Sequence, residues 1–193
     1  LQRVLCDNAC SGHGDCGAGA ACNCSSGYGG TDCSIDLNAP PDVTGSSDVV
    51  YDSTGLNANH TPTELLVSGS NFLNSANLSC RFNSTVTAAT FIGASQVLCA
   101  VPVLYHRGTT SAQVPLQVSN DGRRWSNSTS AWMIYYDGMC QECTNQGSCG
   151  PNPNTCLINN FCFLSGATKP ADSSSVSNPC QVCHPRTSTT SWT

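Results

Sequence analysis

The sequence predicts a mainly β chain in which small disulfide-rich modules flank a β-sandwich. Three observations carry this expectation. Fifteen of the 193 residues are cysteine, and they fall in groups: six in Cys6–Cys33, two at Cys80 and Cys99, and seven in Cys140–Cys183. The middle stretch consists of short apolar runs of strand length, split by turn residues. Charged residues make up only 10 % of the chain, against about a quarter in an ordinary globular domain.

The cysteine grouping sets three modules, at residues 1–37, 38–137 and 138–193. The seams agree, since Asn38-Ala-Pro-Pro41 reads as a stiff linker and Tyr136-Asp-Gly-Met139 as a turn. Seven Lys+Arg stand against 12 Asp+Glu, a net charge of −5. Nothing concentrates cations into a phosphate-binding face, so nucleic acid is excluded as a partner. There is no signal peptide and no apolar run long enough to span a bilayer. Few charges with many Cys, Ser, Thr, Asn and Gly indicate an extracellular chain or a segment of one, without direct membrane insertion.

The first module carries six cysteines and almost no large apolar residues. It cannot fold on a core alone, so cross-links must replace one. Six cysteines allow fifteen pairings, and spacing alone does not choose among them. The run "CDNACSGHGDC" followed by "CNCSSGYGGTDC" resembles an EGF-like domain, down to the single residue between Cys22 and Cys24 and the Gly27-Tyr28-x-Gly30 turn. That resemblance implies the bridges Cys6–Cys16, Cys10–Cys22 and Cys24–Cys33. Calcium-binding members carry an acidic and amide cluster before the first cysteine. Gln2-Arg3-Val4-Leu5 stands there instead, so no calcium is expected at this module. His13 reads as a surface residue.

In the second module five runs read as strands: Thr63–Phe72, Asn77–Phe82, Gln96–Pro102, Ser111–Ser119 and Ser130–Tyr136. Val114, Leu116 and Val118 alternate with Pro115, Gln117 and Ser119, the period of a strand with one buried face. Pro115 suggests an edge or a bulge, and Asp121-Gly122 supplies a tight turn. Several such strands with turn signals between them indicate a β-sandwich. The order "PPDVTG", "LLVSGSNF", "CRF", "VLCAVP" and "VSNDGRRWSNSTSAWMIYY" resembles an IPT/TIG domain, an immunoglobulin-like E-set fold. The resemblance implies a Cys80–Cys99 bridge, whose loop closure would contribute about 3 kcal/mol. Four sequons, at Asn59, Asn77, Asn83 and Asn127, are candidate glycosylation sites in a secreted chain. Pro62 after Thr61 makes Asn59 the weakest of them. Trp125 and Trp132 read as strand-edge packing rather than a sugar-stacking pair.

The third module again carries many cysteines (Cys140, Cys143, Cys149, Cys156, Cys162, Cys180 and Cys183) and few apolar residues. Its start, Cys140-x-x-Cys143 to Gly147-x-Cys149, resembles an EGF-like repeat. Its second part, with Asn-Pro-Cys180-x-x-Cys183-x-Pro185 and Trp192, resembles a cysteine-rich repeat found beside such modules. Repeats of this look carry another cysteine shortly after the Trp. Seven is an odd number, so either one cysteine lacks its partner or the natural polypeptide continues past Thr193. The pairing within this module stays open.

Cys180-Gln-Val-Cys183-His184 matches the C-x-x-C-H run of c-type haem attachment. Haem needs two free thiols, an axial partner such as Met133 or Met139, and an apolar pocket. No helical apolar domain surrounds the run, and five other cysteines compete for oxidation. Zinc on Cys140, Cys143, Cys180 and Cys183 would need reduced thiolates, against three intervening cysteines and an oxidising compartment. A redox dithiol would need a helix N-terminus, which Pro185 and the Ser/Thr tail do not offer. All fifteen cysteines are therefore expected in disulfides. His13, His60, His106 and His184 are scattered, and no catalytic motif is present. The expectation is of no enzyme activity, no cofactor and no metal.

The domain order implies a non-enzymatic structural segment of an extracellular glycoprotein. It would build filaments or a cell-surface coat through module-to-module contacts, with other copies of itself or other extracellular proteins as partners. In domain order it resembles mastigoneme-type hair proteins of ciliary appendages. The alternative is the ectodomain of an adhesion or recognition receptor that binds a protein or glycan.

Overall fold

Short alternating runs in a charge-poor chain give sixteen short strands in the computed structural model, which describes residues 6–167 and 181–193. Gln2 to Leu5, on which the calcium expectation for the first module rests, and Cys180 lie outside the described residues. In chain order the strands are β1 (Gly14–Cys16), β2 (Cys22–Cys24), β3 (Tyr28–Gly29), β4 (Ile35–Asp36), β5 (Asp42–Ser46), β6 (Val50–Asp52), β7 (Glu64–Ser70) and β8 (Ser79–Phe82). They continue with β9 (Thr85–Gly93), β10 (Gln96–Ala100), β11 (Ala112–Ser119), β12 (Trp132–Tyr136), β13 (Gln141–Cys143), β14 (Cys149–Pro151), β15 (Thr155–Ile158) and β16 (Phe161–Leu164). Two compact units result: Leu1–Ser47 with Thr63–Pro102 and Pro115–Trp132, and Asp48–Pro62 with Val103–Val114 and Met133–Thr193.

In the first unit β5, β7, β10, β9, β8 and β11 are neighbours in that order, joined by antiparallel ladders. Every second residue points inward. Leu65 and Val67 of β7, Phe82 of β8, Val97 of β10, and Leu116 and Val118 of β11 are all fully buried. The Cys80–Cys99 bridge lies in the same layer and ties β8 to β10. Gly69 permits the closest approach between strands. A Cβ there would run into the Asp42 carbonyl and, at 2.9 Å, the Phe72 ring.

Strands β5, β6 and β9 lie outside the five expected runs. β9 is rich in Thr and Ala, and none of its nine residues is fully buried. Its outward side chains include Val86 and Ile92, both more than half exposed. A strand with so little apolar contrast carries a weak alternation signal. Pro115 does not mark an edge. β11 has β8 on one side from Leu116 onward, and on the other the Leu116 N–H donates to the Ala131 carbonyl and the Ser126 N–H to the Val118 carbonyl, both at 2.9 Å. The proline is tolerated because it precedes the first residue paired with β8. Its carbonyl still accepts from the Asn83 N–H at 3.0 Å.

The same unit holds the N-terminal cysteine-rich segment, where Cys6, Cys10 and Cys33 form the small core. Asn8 to Ser11 run in left-handed conformation, with φ of 47–54°, which costs about 1–2 kcal/mol per residue. Cross-links on both sides, Cys6–Cys16 and Cys10–Cys22, hold that turn, and Cys24–Cys33 closes the segment.

In the second unit β12 runs parallel to β6, with Ile134 opposite Val50 and Tyr136 opposite Asp52. The following segment contains two hairpins, β13–β14 and β15–β16. Its bridges are Cys140–Cys162, Cys143–Cys149 and Cys156–Cys183. Ile158 packs with Cys156 and Cys183, and the Phe163 and Trp192 rings lie 4.8 Å apart beside them.

Strand faces set the expected mutational asymmetry. Leu116→Ala should cost about 2–5 kcal/mol in urea unfolding, because it opens a cavity in a closed layer. Val86→Ala, on the outer face of β9, should change stability by no more than about 0.5 kcal/mol. Equal losses would contradict the placement of these two side chains.

Candidate functional site

The polar side chains of the first unit converge on the linker after the N-terminal segment. Asn71 sits with φ of 63°, a conformation asparagine tolerates better than most residues. Its Oδ1 accepts from the Asp36 N–H at 2.7 Å, and its Nδ2 donates to the carbonyls of Asp36 and Ala39 at 3.0 and 3.2 Å. Arg124 reaches the same stretch from the other side. Its Nη1 donates to the Asn38 carbonyl at 2.5 Å and its Nη2 to the Leu37 carbonyl at 2.8 Å. Asn120 ties the two clamping loops together, accepting from the Leu73 N–H and donating to the Asn71 carbonyl.

Asp121 orients Arg124. Its Oδ2 accepts from Arg124 Nε at 2.9 Å, while Oδ1 accepts from the backbone N–H groups of Arg124 and Arg123. These bonds, the Arg124 amide first, hold its carboxyl well below the usual carboxylate range. Gly122, at φ of 71°, makes the turn that aims both amides at one oxygen. The linker expected to be stiff because of its prolines is thus also clamped by side chains from two distant loops. Sequence reading missed Asn71 and Arg124. The available signal was "NDGRR", a tight turn followed by two cations in a chain with only seven.

The second unit has a polar centre. Asp52 is 1 % exposed. Its Oδ1 accepts from the Thr54 N–H, the Thr54 hydroxyl and the Gly138 N–H, and its Oδ2 from the Asn57 N–H at 2.8 Å. Burial raises its pKa, but the hydrogen bonds led by Thr54 outweigh it and leave the carboxyl below its ordinary value. Gly138 must be glycine, since a Cβ there would fall on the Asp52 carboxylate. His60, read as one of four scattered histidines, is buried here. Its Nδ1 lies 2.6 Å from the Tyr136 hydroxyl and its Nε2 2.7 Å from Asn145 Oδ1. Burial, then the nearby Asp52 charge, pushes the Tyr136 phenol up to about 12, so the hydroxyl stays protonated and can donate to the ring.

The histidines are dispersed. His13 stacks on Tyr28 with centroids 3.8 Å apart, His106 Nε2 meets the Thr110 carbonyl, and His184 is exposed. All fourteen cysteines among the described residues are bridged. Cys183 of the C-x-x-C-H run is joined to Cys156, so it has no thiol to offer haem or zinc. Cys140 and Cys143 each pair elsewhere than with one another. The sulfurs of Cys6, Cys10 and Cys22 cluster within metal-ligand range, yet each is spent in a disulfide. Trp125 carries the Arg81 guanidinium over its ring at 4.3 Å, and Trp132 is 42 % exposed. No helix among the described residues is long and apolar enough to cross a membrane.

The sandwich ladders and the Cys80–Cys99 bridge occupy the stretch that a family model also covers, at residues 39–131. That model describes the IPT/TIG domain. The clamp is thus built from loops of the matched stretch holding the chain that enters it. An IPT/TIG domain is a non-catalytic immunoglobulin-like unit, and with so many disulfides the chain fits a cysteine-rich extracellular protein. All four sequon asparagines are exposed. Asn83 lies at φ of 55° in the two-residue turn between β8 and β9, and Asn127 Oδ1 accepts from the Thr129 N–H and hydroxyl.

Asn71→Ala should speed hydrogen exchange at the Asp36 amide roughly tenfold, the loss of one buried-side bond, while Val97 in β10 keeps its protection. Asp121 adds a pH dependence. Its pKa is lower folded than unfolded, so its contribution is complete above about pH 4. It fades as pH falls through the folded value, and an NMR titration of the Asp121 carboxyl should show that depressed midpoint.

Proposed function

We propose that this chain is a non-enzymatic structural segment of an extracellular glycoprotein, a connector that holds modules at fixed spacing and builds filaments or a coat. The single observation that carries this reading is the clamped entry to the IPT/TIG domain. A chain that needs only tethered domains has no use for five side-chain bonds across one linker. The residues before the clamp support an EGF-like module at 1–37. Their bridges join first to third, second to fourth and fifth to sixth cysteine. A cysteine-rich EGF-like repeat at 138–193 is the corresponding reading after the domain. Filament-type hair proteins are the relatives this domain order suggests.

Glycans belong to the same proposal. Asn83 and Asn127 project from exposed turns and are the sequons expected to carry them, with Asn77 next. A second reading, an adhesion or recognition ectodomain, is favoured by one feature. Tyr105 is 82 % and Val103 61 % exposed on one loop, the kind of aromatic display that binding surfaces use.

Sedimentation velocity of the secreted chain distinguishes the two. The connector reading expects reversible self-association that grows with concentration and is insensitive to Tyr105→Ala. A monomer at every concentration would sink it, and loss of binding to a cell-surface partner on Tyr105→Ala would favour the ectodomain. Peptide mass spectrometry after enzymatic deglycosylation should show conversion of Asn83 and Asn127 to aspartate.

A further inference from the structure

The first unit carries an apolar hollow of about 480 Å³. Ile35, Leu73 and Phe91 make its apolar wall, and Asp32, Ser34 and Asn74 are its polar members. A concave apolar space with a few polar groups at hand is the usual form of a binding site. No lysine, arginine or histidine is among the lining residues, so Asp32 leaves the hollow with a negative side. Its Oδ1 is taken, accepting from the Ser34 N–H and hydroxyl at 3.2 and 2.7 Å. Its Oδ2 meets only Asn8 Nδ2 and the Ser11 hydroxyl, both at 3.4 Å. Those contacts are longer than an ordinary hydrogen bond, which leaves Oδ2 open to a closer donor.

The second unit carries a matching projection. Phe161 is 68 % exposed, and Leu157 and Leu164 of the same hairpin are exposed with it. Large apolar side chains gathered on one surface mark an interaction site more often than scattered ones do. Asn159 and Asn160 form the two-residue turn between β15 and β16, with φ of 52° and 65°. Asparagine favours that left-handed pair. The Cys140–Cys162 bridge anchors the residue after Phe161, so the tip is ordered before anything binds it, which lowers the cost of association. No charged residue lies between Thr155 and Ala167. In a chain of net charge −5, this tip can approach Asp32 without carboxylate repulsion, and its two exposed asparagines offer amide donors.

We propose that the Phe161 tip of one copy docks in the Asp32–Phe91 hollow of a second copy, with an asparagine amide of the turn donating to Asp32 Oδ2. Projection and hollow are different surfaces, so the contact is head-to-tail. Such contacts propagate into an open chain wherever they do not close a ring. The proposal rests on the connector reading and supplies the contact that reading needs.

Sedimentation velocity of the full chain and two variants tests it. Phe161→Ser removes the projection, and Ala94→Trp fills the hollow, which Ala94 also lines. Both positions are exposed, so the fold should survive each change. Either variant alone should self-associate roughly tenfold or more weakly than the parent chain. Mixing the two should restore one contact, the intact tip of Ala94→Trp in the open hollow of Phe161→Ser, giving pairs that do not grow further. If the parent associates and either variant associates equally well, or the mixture forms no pairs, the contact is overturned and the connector reading stands. A parent chain that stays monomeric would overturn both.

Discussion

Cross-linking is the constraint from which the rest of this structure follows. Outside the sandwich the chain has too few large apolar side chains to repay the entropy of ordering its backbone. Bridges closing loops of 6 to 27 residues remove part of that entropy from the unfolded chain instead, each contributing about 2–4 kcal/mol. The sulfurs also become the core. Cys6, Cys10 and Cys33 in the N-terminal segment, and Cys156 and Cys183 in the C-terminal one, are the buried centres around which Tyr28, Phe163 and Trp192 pack. Once cysteine does this work, the loops can be short, polar and rich in glycine without the fold dissolving.

Poverty of charge is the second consequence. Among the described residues there is one salt bridge, Arg124 to Asp121. The acidic and amide side chains are used differently. At Asp32, Asp36, Asp52, Asp121, Asn127 and Asn152 the side-chain oxygen accepts from the backbone N–H two residues on. Each such turn satisfies a backbone donor that no helix or sheet would reach. This explains why a sequence so dense in Asn, Asp, Ser and Thr orders its loops, and why its stability should depend little on ionic strength.

How much of this was legible followed the range of the interactions. Alternation in "QVPLQVS" exposes its buried face directly, because strand period is a local property. Leu116 and Val118 are buried as that pattern requires. β9 was illegible for the opposite reason: Thr and Ala on its inner side give no contrast with the outer side. The clamp was beyond local reading altogether. Arg124 bonds a carbonyl 87 positions away, and nothing in the intervening residues signals which cation will reach back. His60 was similarly hidden, since its partners Tyr136 and Asn145 lie 76 and 85 positions later.

The polar centre around Asp52 shows why such a chain tolerates buried charge at all. An apolar replacement would need several large side chains from segments that supply almost none. A carboxylate needs only backbone N–H groups, which every residue of the surrounding turns provides. Four donors make Asp52 a fixed point from which Thr54, Asn57 and Gly138 take their geometry, and each would be left unbonded if the carboxylate were lost. A fully satisfied network of this kind specifies one arrangement where a loose apolar cluster would allow several. Among the described residues, Gln141 Oε1 is the one buried side-chain acceptor beside that network which no donor of the chain reaches.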